Sequence, residues 1–138
     1  MDSTYVVGID VGGQTTKLGV VDARGTVLAQ TVIRTDTYTD IAPYISELAV
    51  ALNKVIADAG VEGKVKGIGV GAPNGNYYTG TIENAVNLSW GGTQTIEFSK
   101  LLSEAMNGLP VALTNDANAA AVGEMTYGAA RGMKNFIM

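Results

Sequence analysis

Two carboxylates stand where acid–base and phosphate chemistry would need them. Asp116 lies in Leu113-Thr114-Asn115-Asp116-Ala117-Asn118-Ala119-Ala120-Ala121, where a strand pattern passes into an Ala-rich helical one. A carboxylate there can cap the helix by accepting from its first free N–H groups. It can also take a proton from a substrate hydroxyl that attacks a phosphoryl group. The helix N-terminus keeps it ionised and therefore able to accept. Asn115 beside it could fix substrate hydroxyls. Asp10 lies in Gly8-Ile9-Asp10-Val11-Gly12-Gly13-Gln14-Thr15, at the end of a β-branched run. Gly12 and Gly13 would let a phosphate come close to backbone N–H groups. Thr15 or Thr16 could add a hydroxyl; strand alternation lets only one of the two face a phosphate. Asp10 could hold a hydrated Mg²⁺, which takes one or two carboxylates and keeps its waters. The plain alternative for the whole segment is a Gly-Gly hairpin.

Two glycine patterns fail in context. Gly8 to Thr15 nearly spells a P-loop, but Gln14 stands where the phosphate-binding Lys belongs, and a strand pattern follows. Gly67-Ile68-Gly69-Val70-Gly71-Ala72 fits the relaxed dinucleotide pattern, yet Pro73-Asn74-Gly75-Asn76 follows, which is turn chemistry. The better reading is close packing in a central strand, with a polar loop at its C-terminal end where α/β folds bind ligands. That loop carries Asn74, Asn76, Tyr77, Tyr78 and Thr79, then Glu83, Asn84, Asn87 and Trp90. Amides and carboxylates suit a ligand with many hydroxyls, and an aromatic ring would give a sugar's apolar face a platform. An ordinary solvated loop would use the same residues.

Composition narrows the chemistry. The chain has 138 residues, 46 % of them apolar, which suits one compact domain and excludes disorder. It has no Cys and no His. Disulfides, zinc–thiolate sites, thiol nucleophiles and His bases are therefore absent from it. The net charge of −4 comes without a basic cluster, so no nucleic-acid footprint is expected. No apolar run approaches the ~18 residues that span a membrane. Met1-Asp2-Ser3-Thr4 does not open a signal peptide, so a cytoplasmic location is expected.

The elements that must position these residues follow from periodicity. Tyr5–Asp10, Thr16–Asp22 and Thr26–Arg34 read as strands joined by short turns, an antiparallel meander. Ile41, Ile45, Leu48, Leu52, Val55, Ile56 and Ala59 form one apolar helix face that stops at Gly60. Val65–Ala72 reads as a strand, residues 81–95 as loop with short extended pieces, Ile96–Asn107 as a helix and Pro110–Thr114 as a strand. Ala117–Tyr127 reads as a helix, and Asn135-Phe136-Ile137-Met138 as the opening of a further strand. The order β-β-β-α-β-α-β-α implies a mixed sheet with helices on both faces. An apolar strand cut at Met138 suggests a piece of something longer.

Taken together, these segments resemble the sugar kinases of the ROK family, specifically a glucokinase-like member. The likeness runs through Gly8-Ile9-Asp10-Val11-Gly12-Gly13, Lys17-Leu18-Gly19-Val20-Val21-Asp22, Gly67-Ile68-Gly69-Val70, Asn87-Leu88-Ser89-Trp90 and Asn115-Asp116-Ala117-Asn118-Ala119-Ala120-Ala121-Val122-Gly123-Glu124. It implies an actin-like, hexokinase-like (ribonuclease H-like) ATPase lobe spanning residues 1–138, the N-terminal one of two. It implies in-line transfer of the ATP γ-phosphoryl group to the 6-hydroxyl of a hexose, glucose first among candidates. Asp116 would be the general base, and Asn115 and Asn87 sugar ligands, with Asn74 and Asn76 nearby. Asp10, Gly12, Gly13, Gln14, Thr15 and Thr16 would form the first phosphate segment, with Asp10 reaching Mg²⁺ through water. The family has Thr directly after Gly-Gly where this chain has Gln14. Its second phosphate loop, E-x-G-H sugar segment and Cys-rich zinc motif would lie beyond Met138, on a C-terminal lobe. The resemblance further implies a homo-oligomer for the full-length protein and an inactive isolated lobe. A sugar-sensing domain of a ROK-type repressor, or a structural fragment, are the competing readings.

Overall fold

The computed structural model describes residues 5–22, 24–72, 75–76, 79–83, 85, 88–91 and 95–114. Strands β1 (Tyr5–Val11), β2 (Thr15–Asp22) and β3 (Val27–Arg34) pair antiparallel in chain order. Helix α1 (Ile41–Ala59) crosses over to β4 (Val65–Gly71), which pairs parallel to β1. Three short strands follow: β5 (Gly75–Asn76), β6 (Thr81–Glu83) and β7 (Thr95–Ile96) form a small antiparallel sheet. Helix α2 (Phe98–Ala105) then leads to β8 (Val111–Thr114), parallel to β4. The main sheet has the order β3-β2-β1-β4-β8.

The expected helix face of α1 holds. Tyr44, Ile45, Leu48, Ala51, Leu52, Val55 and Ile56 are buried along it. It ends because Gly60 takes a left-handed φ of 72° and donates back to Ala57 O, while Val61 N–H reaches Ile56 O. The buried side chains of α1 meet Val7, Ile9, Val11, Leu18, Val20, Ile68 and Val70 in one core. Each such side chain contributes about 1.5–3 kcal/mol by leaving water. Phe98, Leu102 and Met106 of α2 and its end join the same core beside α1. Both described helices therefore cover one face of the sheet. The helix expected over 117–127 and the strand expected at 135–138 lie outside the described residues.

Helix α2 is shorter than its apolar pattern suggested. Ile96 is taken by β7, paired with Ile82, so the helix opens at Phe98. At the other end Asn107 and Gly108 both turn left-handed, with φ of 59° and 86°. Gly108 N–H caps Ser103 O at 2.8 Å.

Candidate functional site

Three of the segments singled out in the sequence leave the main sheet at one edge. β1, β4 and β8 run parallel, so their C-terminal ends lie side by side. Asp10 is in register with Gly71, and Gly71 with Thr114. This row joins the start of the glycine hairpin, the exit toward Pro73, and the exit toward Asn115 and Asp116. Carboxyl edges of parallel strands are where open α/β sheets hold ligands, because the loops there are free to vary.

The hairpin between β1 and β2 is tightly tied. Gly12 N–H donates to Thr15 O at 2.9 Å, and Thr35 N–H donates to Gln14 O at 2.8 Å. A Cβ on Gly12 would stand 3.0 Å from Thr15 O, so this turn leaves little room for a side chain there. Gly13 and Gln14 are exposed at the tip, and Asp10 is half-buried.

Thr15 and Thr16 point to opposite faces. Thr16 is in register with Val11 and is fully buried. Its Oγ1 lies 2.7 Å from Thr35 Oγ1 and 2.7 Å from the Tyr44 hydroxyl. Burial pushes the Tyr44 hydroxyl's pKa well up, and the bond to Thr16 only partly opposes that. Thr15 is half-buried on the opposite face, which it shares with Lys17 by strand alternation. Lys17 is exposed and stands directly across from Asp10. It is a cation that motif reading passed over, and the strand register is the signal that finds it. Directly opposed residues hold their Cβ atoms about 4.5–5.5 Å apart.

Trp90 does not serve as an open platform. It is 1 % exposed and stacks on Tyr44 with ring centroids 4.7 Å apart. Phe98 flanks it at 6.0 Å. Burial of a large aromatic stabilises more than its exposure in a polar loop, so the ring sits in the core. Its segment is pinned on both sides. Leu88 is 1 % exposed, and the Ser89 hydroxyl donates to Thr35 O at 3.2 Å and Tyr38 O at 2.5 Å. A Cβ on Gly91 would meet Ala85 O at 2.5 Å.

Glu83 is engaged within the small sheet. It accepts from the Thr81 hydroxyl at 2.7 Å, and Thr81 lies 2.6 Å from the Thr79 hydroxyl. Asn76 lies on β5, paired with Thr81. Asn74, Tyr77, Tyr78, Asn84, Asn87, Asn115 and Asp116 lie outside the described residues.

The described residues hold no cluster of three metal-ligating side chains. A single half-buried carboxylate at a strand end, Asp10, fits Mg²⁺, which fills its shell with water and phosphate oxygens. Among the described residues no helix is long and apolar enough to cross a membrane.

Comparison with known proteins agrees with this architecture. The chain is 35 % identical over 140 residues to a glucokinase of Halalkalibacterium halodurans, covering 100 % of this chain and 41 % of that protein. The structure matches the ROK hexokinase of Thermus thermophilus with a TM-score of 0.67 at 35 % identity, over 93 % of this chain and 40 % of that one. It matches a ROK family glucokinase of Streptomyces griseus, solved with glucose and AMPPNP, with a TM-score of 0.62 at 32 % identity, over 93 % of this chain and 38 % of that one. The chain thus spans about two fifths of the length of these relatives. The fold is the actin-like ATPase fold of these kinases. The ROK family pattern matches residues 6–138, and the chain belongs to the ROK family.

Proposed function

We propose that the chain is the N-terminal lobe of an ATP-dependent hexose kinase. The full-length protein transfers the γ-phosphoryl group of ATP to the 6-hydroxyl of glucose or a related sugar. One observation carries this reading: Asp10, Gly71 and Thr114 share a row at the carboxyl edge of β1, β4 and β8. That row gathers the phosphate hairpin and the strand leading to Asp116 at one edge of the sheet. The glucokinase relatives and the glucose and AMPPNP complex supply the substrate class.

Each residue then has a physical task. The backbone N–H groups of the Gly12-Gly13-Gln14 turn meet phosphate oxygens. Thr15 adds a hydroxyl, and Lys17 offsets phosphate charge from the same face. Thr16 supports the turn from the core. Asp10 would hold Mg²⁺ through water, and the metal would neutralise charge on the phosphates. Asn87 and Asn115 hold sugar hydroxyls, with Asn74 and Asn76 at the rim. Asp116 takes the proton of the 6-hydroxyl as its oxygen attacks the γ-phosphorus. The new O–P bond forms while the bond to the bridging oxygen breaks, and ADP leaves. Alignment of two substrates needs a second wall that also excludes water. The 138-residue chain alone therefore binds sugar weakly and does not turn over.

An ADP-release assay on the full-length protein, with Mg-ATP and a panel of hexoses, tests this reading. Turnover on glucose, reduced about 10²–10⁴-fold in Asp116→Asn without loss of folding, is expected. Absence of turnover on every hexose would favour a sugar sensor instead. An active Asp116→Asn variant would assign the base elsewhere.

A further inference from the structure

The phosphate hairpin and the 88–91 segment are joined through a buried hub of three hydroxyl side chains. Thr16, Thr35 and Tyr44 are each 0 % exposed. Thr16 Oγ1 bonds both of the other hydroxyls at 2.7 Å. Thr35 also grips each segment through its backbone: its N–H donates to Gln14 O at 2.8 Å, and its carbonyl accepts from Ser89 at 3.2 Å. Tyr44 does the same through its side chain, with the hydroxyl on Thr16 and the ring stacked on Trp90 at 4.7 Å. An apolar pair at 16 and 44 would fill the core without a hydroxyl at Thr16 that bonds two others. These directional bonds hold one relative placement of the two segments, which apolar packing alone would hold less strictly.

We propose that Tyr44 and Thr35 are positioning residues that fix the separation between the phosphate hairpin and the sugar segment. This rests on the kinase reading above for its effect on transfer, but not for its effect on the structure. Each segment keeps its own ligand contacts when the hub is loosened. What is lost is alignment of the sugar hydroxyl with the γ-phosphorus, to which transfer is sensitive. Hydrolysis of ATP by water does not need that alignment. The ratio of sugar phosphorylation to sugar-independent ATP hydrolysis is taken per active molecule, so a smaller folded fraction does not move it.

The test measures this ratio in the full-length protein, together with amide hydrogen exchange. Tyr44→Phe removes only the hydroxyl and keeps the stacked ring. It should lower the ratio about fivefold or more, with both KM values within about twofold. Thr16→Val should repeat this, and Thr16→Ser should restore it. Exchange should quicken about tenfold at the Gly12 and Thr35 amides in Tyr44→Phe. In Tyr44→Leu, which also loses the stack, it should quicken at the Leu88 and Gly91 amides as well. Val55→Ala, buried on the same helix but outside the hub, serves as the control; it should leave the ratio unchanged. An unchanged ratio in Tyr44→Phe, or exchange that rises uniformly as in Val55→Ala, overturns the proposal. If the protein phosphorylates no sugar, the kinase reading falls and the exchange pattern still decides whether the hub positions the two segments.

Discussion

On the helix side of the main sheet, Val7, Ile9, Val11, Leu18, Val20, Ile68 and Val70 lie buried in the core shared with α1. On the other side the same three strands carry Gly8, Gly19, Gly67, Gly69 and Gly71, with Asp10 and Lys17 at one end. Gly19, Gly8 and Gly69 stand in one row. The β-branched residues stabilise the sheet by burial and by their preference for a pleated surface. The glycines add neither; interior glycines weaken a strand. They instead let backbone come close: a Cβ on Gly19 would stand 3.0 Å from Ala29 O, and Gly67, Gly69 and Gly71 are buried. One face thus carries the aliphatic packing against the helices, and the other carries the glycines with the polar pair Asp10 and Lys17 at its end.

The largest stability effect should come from breaking the helix side. Leu52 is 0 % exposed, and Leu52→Ala should cost about 2–5 kcal/mol, read from urea denaturation.

How much of this was legible in the sequence differs between the two sides. The meander and α1 could be read directly, because alternation and a 3.6-residue period persist over seven residues or more. β5, β6 and β7 have two or three residues each, too few to show any period. Trp90 illustrates a second limit: an aromatic in a polar loop reads the same whether it faces solvent or core. The stack with Tyr44, far along the chain, decides it. Likewise alternation states that Thr15 and Thr16 face opposite ways, but which face is the core depends on where α1 packs. Asp10 and its neighbours were legible as motifs. That Lys17 opposes Asp10 needed the strand register.

The glycine side can be sharpened next. A Cβ at Gly19 would stand 3.0 Å from Ala29 O and 3.3 Å from Gln30 Cβ. Gly19→Ala should therefore cost about 1–3 kcal/mol, because backbone must shift. The same urea titration reads it.

Tyr44 gives the helix side a pH signature. In the unfolded chain its hydroxyl ionises near the ordinary 10.0, whereas burial holds it neutral to higher pH in the fold. The unfolded state therefore releases its proton first, and stability present below pH ~10 is lost as pH rises above it. Tyr44→Phe should cost about 1–2 kcal/mol at near-neutral pH. Because the phenylalanine variant escapes the alkaline loss, that cost should shrink by about 1.4 kcal/mol one unit above the ordinary value. Denaturant titrations at the two pH values check it.

The smallest effect belongs to the β2–β3 turn. Asp22 Oδ1 accepts from the Thr26 N–H at 3.0 Å and the Arg24 N–H at 2.9 Å. These bonds, that to Thr26 foremost, hold its carboxyl below the ordinary 3.8. Its contribution is present above that value and is lost as pH falls through the lowered one. Asp22→Ala should lower the urea midpoint slightly at neutral pH, and the difference from the parent should narrow in acid.

The two-face account is tested most directly by one crossed measurement on the full-length protein: glucose phosphorylation per folded molecule and urea stability, for Asp10→Asn beside Leu52→Ala. The account predicts opposite signatures. Asp10→Asn should lose about a hundredfold in kcat/KM for ATP with a smaller loss of stability than Leu52→Ala, and Leu52→Ala should lose stability while its folded molecules keep their activity. An Asp10→Asn variant that phosphorylates glucose as fast as the parent, or that loses stability as Leu52→Ala does, would contradict it.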